Sequence, residues 1–169
     1  MRMAIWWFAV GVGALTKLLQ PPPSRVNETG NWQNPERLTA ADFRVATLDD
    51  DPDSAAVVRA LGKPDSIVRS EIMGGEAHLA DWYYGDAFVT FTNGSFFGIR
   101  LRSPRLATKR GLRVGDPVRR VRQLYGAPSD TTDGEWMYPD PSRHDVLHTI
   151  SILTERGTVR SIYLGWTID

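Results

Sequence analysis

Two segments of this 169-residue chain echo each other, and that repeat restricts its fold more than any other feature. Pro52-Asp53-Ser54-Ala55-Ala56-Val57-Val58-Arg59-Ala60-Leu61-Gly62-Lys63-Pro64 is answered by Asp116-Pro117-Val118-Arg119-Arg120-Val121-Arg122-Gln123-Leu124-Tyr125-Gly126-Ala127-Pro128. Each opens with Asp and Pro, residues suited to an N-cap and to the first helical position. Apolar residues then recur at helical spacing: Val57, Val58 and Leu61 in one, Val118, Val121, Leu124 and Tyr125 in the other. Each ends on a Gly suited to a left-handed C-cap, and a Pro two residues later blocks continuation. A repeat of this kind outranks local propensity in assigning a fold.

Strand signals follow each predicted helix. Trp82-Tyr83-Tyr84 corresponds to Trp136-Met137-Tyr138, and two hairpins come next. Ala87 to Thr92 and Ser95 to Leu101 flank Asn93-Gly94; Leu147 to Thr154 and Thr158 to Leu164 flank Arg156-Gly157. Asn-Gly tolerates the positive φ angles of a tight hairpin turn best. The expected fold is α+β: two tandem units, each a short helix plus a three-stranded antiparallel sheet. One such sheet exposes an apolar face that a single short helix covers only in part. The two units are therefore expected to complete each other's core or to run together as one longer sheet. The implied boundaries are 42–104 for the first unit and 105–169 for the second.

The second unit carries Val114-Gly115-Asp116, Tyr125-Gly126-Ala127-Pro128, Glu135-Trp136-Met137-Tyr138 and a hairpin from Ile150 to Leu164. These residues resemble the BamE (SmpA/OmlA) fold, and the tandem arrangement is similar to the β-lactamase inhibitory protein. The resemblance covers Asp42 to Trp166 and implies an envelope module used for protein–protein contact, in outer-membrane assembly or in inhibition. Two departures stand against a direct transfer of role. BamE proteins are lipoproteins, whereas this chain has no cysteine to acylate, and BamE carries one unit rather than two.

Residues 1–20 read as an export segment. Arg2 precedes the apolar stretch Ala4 to Leu15, with Val12-Gly13-Ala14 at a possible cleavage site. The run is short for a span of ~30 Å of hydrocarbon, and an uncleaved anchor through residues 3–19 is the alternative. Either way this segment engages the translocon or the membrane. Pro21-Pro22-Pro23-Ser24 and the polar residues after it make 21–41 a stiffened tether. The expected location is the periplasm or the cell surface.

Chemistry is sparse. Without cysteine the chain has no thiolate, no disulfide and no Cys-ligated zinc. His144 and His148 have metal-ligand spacing on a helix, but in a strand four residues span ~13 Å, too far for one ion. They read instead as a solvated loop His and a strand-surface His. No G-x-S-x-G elbow occurs. Asp81, Asp86, Asp133, Glu135 and Asp140 flank turns and read as caps or solvated groups. The expectation is a non-enzymatic protein with no cofactor and no metal.

Charge is more informative. Twenty acidic residues balance twenty basic ones, which argues against a general nucleic-acid binder. Between Arg100 and Arg122 nine basic residues stand against the single acid Asp116, while Asp42 to Asp53 holds five acids and one Arg. This basic belt, with Arg110, Arg113, Arg119, Arg120 and Arg122, is a candidate surface for an acidic protein or for anionic lipid headgroups. Tyr83, alternating with inward Trp82 and Tyr84, and His144 in the 139–145 connection complete the candidate partner-binding set. The expected function is an envelope protein-binding or scaffold module. The alternatives are a secreted inhibitor that inserts the 139–145 loop into an enzyme's cleft and, less favoured, a small hydrolase of envelope polymers.

Overall fold

Strands dominate the chain, and in the computed structural model they join into one antiparallel sheet of eight. Residues 37–49, 51–143 and 148–167 are described. The elements are α1 (Ser54–Leu61), β1 (Ser66–Ile72), β2 (Ala77–Tyr83), β3 (Ala87–Thr92), β4 (Ser95–Leu101), α2 (Val118–Tyr125), β5 (Asp130–Thr132), β6 (Glu135–Pro139), β7 (His148–Glu155) and β8 (Thr158–Trp166). Their spatial order is β1-β2-β3-β4-β8-β7-β6-β5, so the sheet is continuous through the β4–β8 pair.

Local chemistry explains the helix ends. The Asp53 carboxylate accepts from the Ala56 N–H at 2.6 Å, which satisfies a first-turn donor of α1. Gly62, at φ 88°, closes α1 by donating to the Val58 carbonyl at 2.9 Å. The second helix starts differently from the sequence expectation. Pro117 is its N-cap and Asp116 does not cap it; the Asp116 carboxylate accepts from the Arg113 N–H at 2.8 Å instead. Backbone bonds from Val118 to Gly157 (3.0 Å) and from Val159 to Asp116 (2.8 Å) tie the start of α2 to the β7–β8 hairpin.

Register lays out the core. Trp82, Val89, Ile99, Leu164, Ile150 and Tyr138 stand opposite one another in turn across six strands, and Ile67 of β1, at the end of this row, is exposed. A second row runs Ala87, Leu101, Ile162, Ile152 and Trp136. Val57 of α1, Val121 and Tyr125 of α2, and Phe43, Val45, Leu48 and Leu112 from the connections pack with these rows. Each fully buried Val, Leu or Ile contributes about 1.5–3 kcal/mol relative to exposure.

This arrangement overturns the expected α+β pair of three-stranded units. Two further strands, β1 and β5, make each side of the sheet four-stranded, and pairing of β4 with β8 merges both sides into one sheet. The second helix lies on the same apolar face as the first, so neither half shields the other's face. All described residues belong to one compact unit. The predicted export segment (1–20), most of the tether and His144 lie outside the described residues.

Candidate interaction surface

Alternation along the strands puts a different set of residues on the second face, the one that α1 and α2 do not cover. Ser66, Tyr83, Phe88, Arg100, Tyr163, Ser151, Met137 and Asp130 are successive cross-strand partners through all eight strands. The middle of this row is aromatic and cationic. Tyr83 and Phe88 stack with centroids 5.7 Å apart, and the Arg102 guanidinium lies 4.8 Å over the Phe88 ring. Arg100 lies 5.1 Å over Tyr163 and reaches the Ser161 hydroxyl at 3.5 Å. Next to the row, Asp81 accepts from the Thr90 hydroxyl at 2.6 Å, which occupies one of its oxygens.

Two glycines hold Tyr163 flat. Gly98 and Gly165 face each other on β4 and β8, and the Tyr163 ring lies where a Gly98 side chain would stand. The Tyr163 hydroxyl donates to the Trp166 carbonyl at 2.6 Å. Burial raises its pKa to about 12, against the lowering influence of Arg100. Gly98→Ala is therefore expected to displace the ring, at about 1–3 kcal/mol for overpacking. Thermal denaturation measures that cost, and alkaline titration at 295 nm should show one tyrosine ionising at lower pH. An unchanged titration would mean that the ring does not depend on Gly98.

The predicted partner-binding residues separate into three places. Tyr83 sits half-buried in the row just described. Arg119 and Arg120 are exposed on α2, on the opposite side of the sheet, and Arg122 lies 5.3 Å over the Trp136 ring there. Arg113 is exposed in the β4–α2 connection, where its guanidinium donates to the Pro104 carbonyl at 2.6 Å and the Arg105 carbonyl at 3.1 Å. Arg110 is an internal tie: its guanidinium contacts Asp42 at 2.7 and 2.9 Å and the Leu124 carbonyl at 2.7 Å. The basic belt is thus continuous in sequence and divided in space. Arg100 and Arg102 belong to the aromatic row, and the α2 arginines face away from it.

One polar cluster was missed by sequence reasoning. His148 is fully buried, between Phe43 (4.9 Å) and Trp166 (4.7 Å), rather than on a strand surface. Its Nδ1 lies 3.0 Å from Asp140, which is buried too and also accepts from the Ser142 N–H (2.9 Å) and hydroxyl (2.6 Å). With Asp140 ionised, Nδ1 carries the donated proton. Among the described residues no nucleophile bonds to this imidazole: Ser142 donates to Asp140, not to His148, and the imidazole is fully buried. The pair braces the base of the 139–145 connection. Among the described residues, no group of three His, Asp or Glu side chains gathers to hold a metal ion.

Comparison with known proteins adds little. No family model matches the chain, and no curated protein matches it. A solved structure, an extracellular protein containing a SCP domain from Bacillus anthracis str. Ames, is similar over 87% of this chain and 50% of that chain. Identity is 10% and the TM-score 0.40, a likeness too slight to define a fold; the chain spans half the length of that protein. The expected BamE and β-lactamase-inhibitory-protein kinship is not upheld. The motifs that carried it, V-G turns, helix-ending glycines and W-x-Y strands, mark where elements start and stop, and many antiparallel sheets use the same punctuation.

Proposed function

We propose that this protein is an exported, non-enzymatic protein-binding module whose contact surface is the face of the sheet that α1 and α2 leave uncovered. The observation that carries the reading is the half-buried Tyr83–Phe88–Arg100 row, with Arg102 over Phe88 and the buried Tyr163 ring beneath Arg100. Aromatic and arginine side chains dominate the binding energy of protein interfaces, and here they sit on rigid strands with their planes already stacked. Arg100 and Arg102 stand two residues apart at the end of β4, each over a ring, and Asp81 is already engaged by Thr90, so the fitting partner is a protein surface that brings carboxylates to Arg100 and Arg102. A guanidinium stacked on a ring can still receive a carboxylate along its edge, Arg100 beside its bond to Ser161. Export is supported by Arg2 and the apolar stretch Ala4 to Leu15; among the described residues no helix is long and apolar enough to cross a membrane.

The test compares three forms of the full chain in crosslinked envelope fractions of the producing cell. A single adduct should form with the wild type, disappear with Tyr83→Ser/Arg100→Glu and persist with Arg119→Glu/Arg120→Glu. Loss of the adduct only with the α2 variant would move the contact to the helix side and end this reading. Vesicles containing an anionic phospholipid provide the second arm. Binding to them that survives Tyr83→Ser/Arg100→Glu would assign the basic residues to lipid rather than to a protein.

A further inference from the structure

The two edges of the sheet are built differently. At one edge, β5 has three residues, and its own acidic side chain occupies one backbone donor: Asp130 accepts from the Thr131 N–H at 2.7 Å. Short strands with charge on them are how sheets protect an edge from pairing. At the other edge, β1 runs for seven residues with no proline, no lysine and no bulge in its pairing to β2. Six of those seven residues are exposed, and among the described residues no strand pairs with its outer side. Among the described residues three large apolar side chains are exposed, and two of them, Val68 at 52% and Ile67 at 36%, lie on β1.

We propose that β1 pairs antiparallel with β1 of a second copy, in a two-fold register centred on Ser70. The sequence Ser66-Ile67-Val68-Arg69-Ser70-Glu71-Ile72 is complementary to its own reverse in this register. Arg69 faces Glu71 of the second copy, and Glu71 faces its Arg69, so the two-fold makes two identical opposite-charge pairs. Val68 faces Ile72 of the second copy on the other face. Sliding by one residue in either direction about the axis, while keeping both copies' helices on the same side, sets Arg69 against Arg69 or Glu71 against Glu71. Directly opposed like charges destabilise a strand pair, whereas opposite charges stabilise it. The charge pattern selects one register, and that register is isologous. Pairing satisfies the outward N–H and C=O groups of β1 and leaves the aromatic row on the second face of each copy uncovered. Self-association and partner binding are therefore separable.

The chain has no cysteine, so a single introduced thiol reports the register. Ser70→Cys in the full chain should give a covalent dimer on mild oxidation, because facing residues bring their Cα atoms within the ~7 Å that a disulfide requires. Ser66→Cys should stay monomeric, since in this register the two copies of position 66 are about 27 Å apart. Adding Glu71→Arg to the Ser70→Cys chain should cut the dimer yield about tenfold, and adding Arg69→Glu as well should restore it. Equal yields from positions 66 and 70 would overturn the proposal. So would a Glu71→Arg loss that Arg69→Glu does not repair, or a Ser70→Cys chain that remains monomeric because β1 pairs with a different protein.

Discussion

Arg110→Ala is expected to lower the unfolding free energy by about 3 kcal/mol or more, far beyond a surface arginine. The Asp42 carboxylate, which its partner Arg110 holds with two bonds, is a buried anion. Burial pushes its pKa up, but the Arg110 guanidinium and the Thr39 N–H together outweigh that and keep it below the ordinary carboxylate range. Truncation at 110 leaves the charge with Thr39 alone, and it strips the Leu124 carbonyl, near the C-terminus of α2, of its donor at 2.7 Å. Asp42→Asn should cost less, about 1–2 kcal/mol, because Arg110 keeps its backbone partners. A double-mutant cycle of Arg110→Ala and Asp42→Ala should show coupling above ~1 kcal/mol. Thermal denaturation resolves this, at about 2–4 °C per kcal/mol for a chain of this length. If Arg110→Ala cost no more than Arg119→Ala, the tie between the Asp42 turn and α2 would not be structural.

How much of this was legible from the residues depends on where each signal comes from. Both helices and both hairpin turns lie where the helix-ending glycines, the Asp53 cap and Asn93-Gly94 placed them, although Asp116 does not cap the second helix; those signals are local, and the backbone takes positive φ at Asn93, Gly94, Arg156 and Gly157. β1 was invisible because it has no buried side. Its residues are exposed on both faces, so no period-two pattern marks them, and only its backbone pairing with β2 makes it a strand. β5 is three residues long, and the Asp133-Gly134 turn that joins it to β6 was the one usable cue. Missing these two strands led to counting separate three-stranded units where one sheet exists. Of the interaction surface, alternation placed Tyr83 on the uncovered face. Arg100 joins it across Phe88 through the two hairpin pairings, whereas Tyr163 arrives only through the β4–β8 pairing, which joins residues more than sixty positions apart. Arg110 failed as a surface candidate for the same reason, since its partner Asp42 lies 68 residues away.

The Asp140–His148 pair was the hardest feature to foresee, and substituting it should have the second large effect. Asp140→Ala removes the acceptor of the buried His148 Nδ1–H and of the Ser142 N–H and hydroxyl together, for an expected loss of about 3 kcal/mol. Asp140→Asn retains an acceptor oxygen and should cost less. The two variants also differ from the wild type in pH dependence, in a direction fixed by the chemistry. Burial raises the Asp140 pKa, but hydrogen bonds from Ser142, and then the hydrogen bond and charge of His148, bring it below its ordinary value. A carboxylate depressed in the folded state stabilises it above the unfolded pKa of about 3.9, and that stabilisation disappears as pH falls through the lower folded value. Asp42 titrates in the same sense. Acidification from pH 5 should therefore destabilise the wild type steeply, and Asp140→Asn should flatten that acid limb by up to about 1.4 kcal/mol per pH unit, one proton's worth. Parallel acid limbs for the two proteins would mean that Asp140 is not held as an anion by this cluster. The depression requires three donors on one carboxylate, two from Ser142 on one oxygen and His148 on the other. Because β7 brings His148 back beside Asp140 at the end of β6, the brace at the base of the 139–145 connection exists only once the sheet has formed.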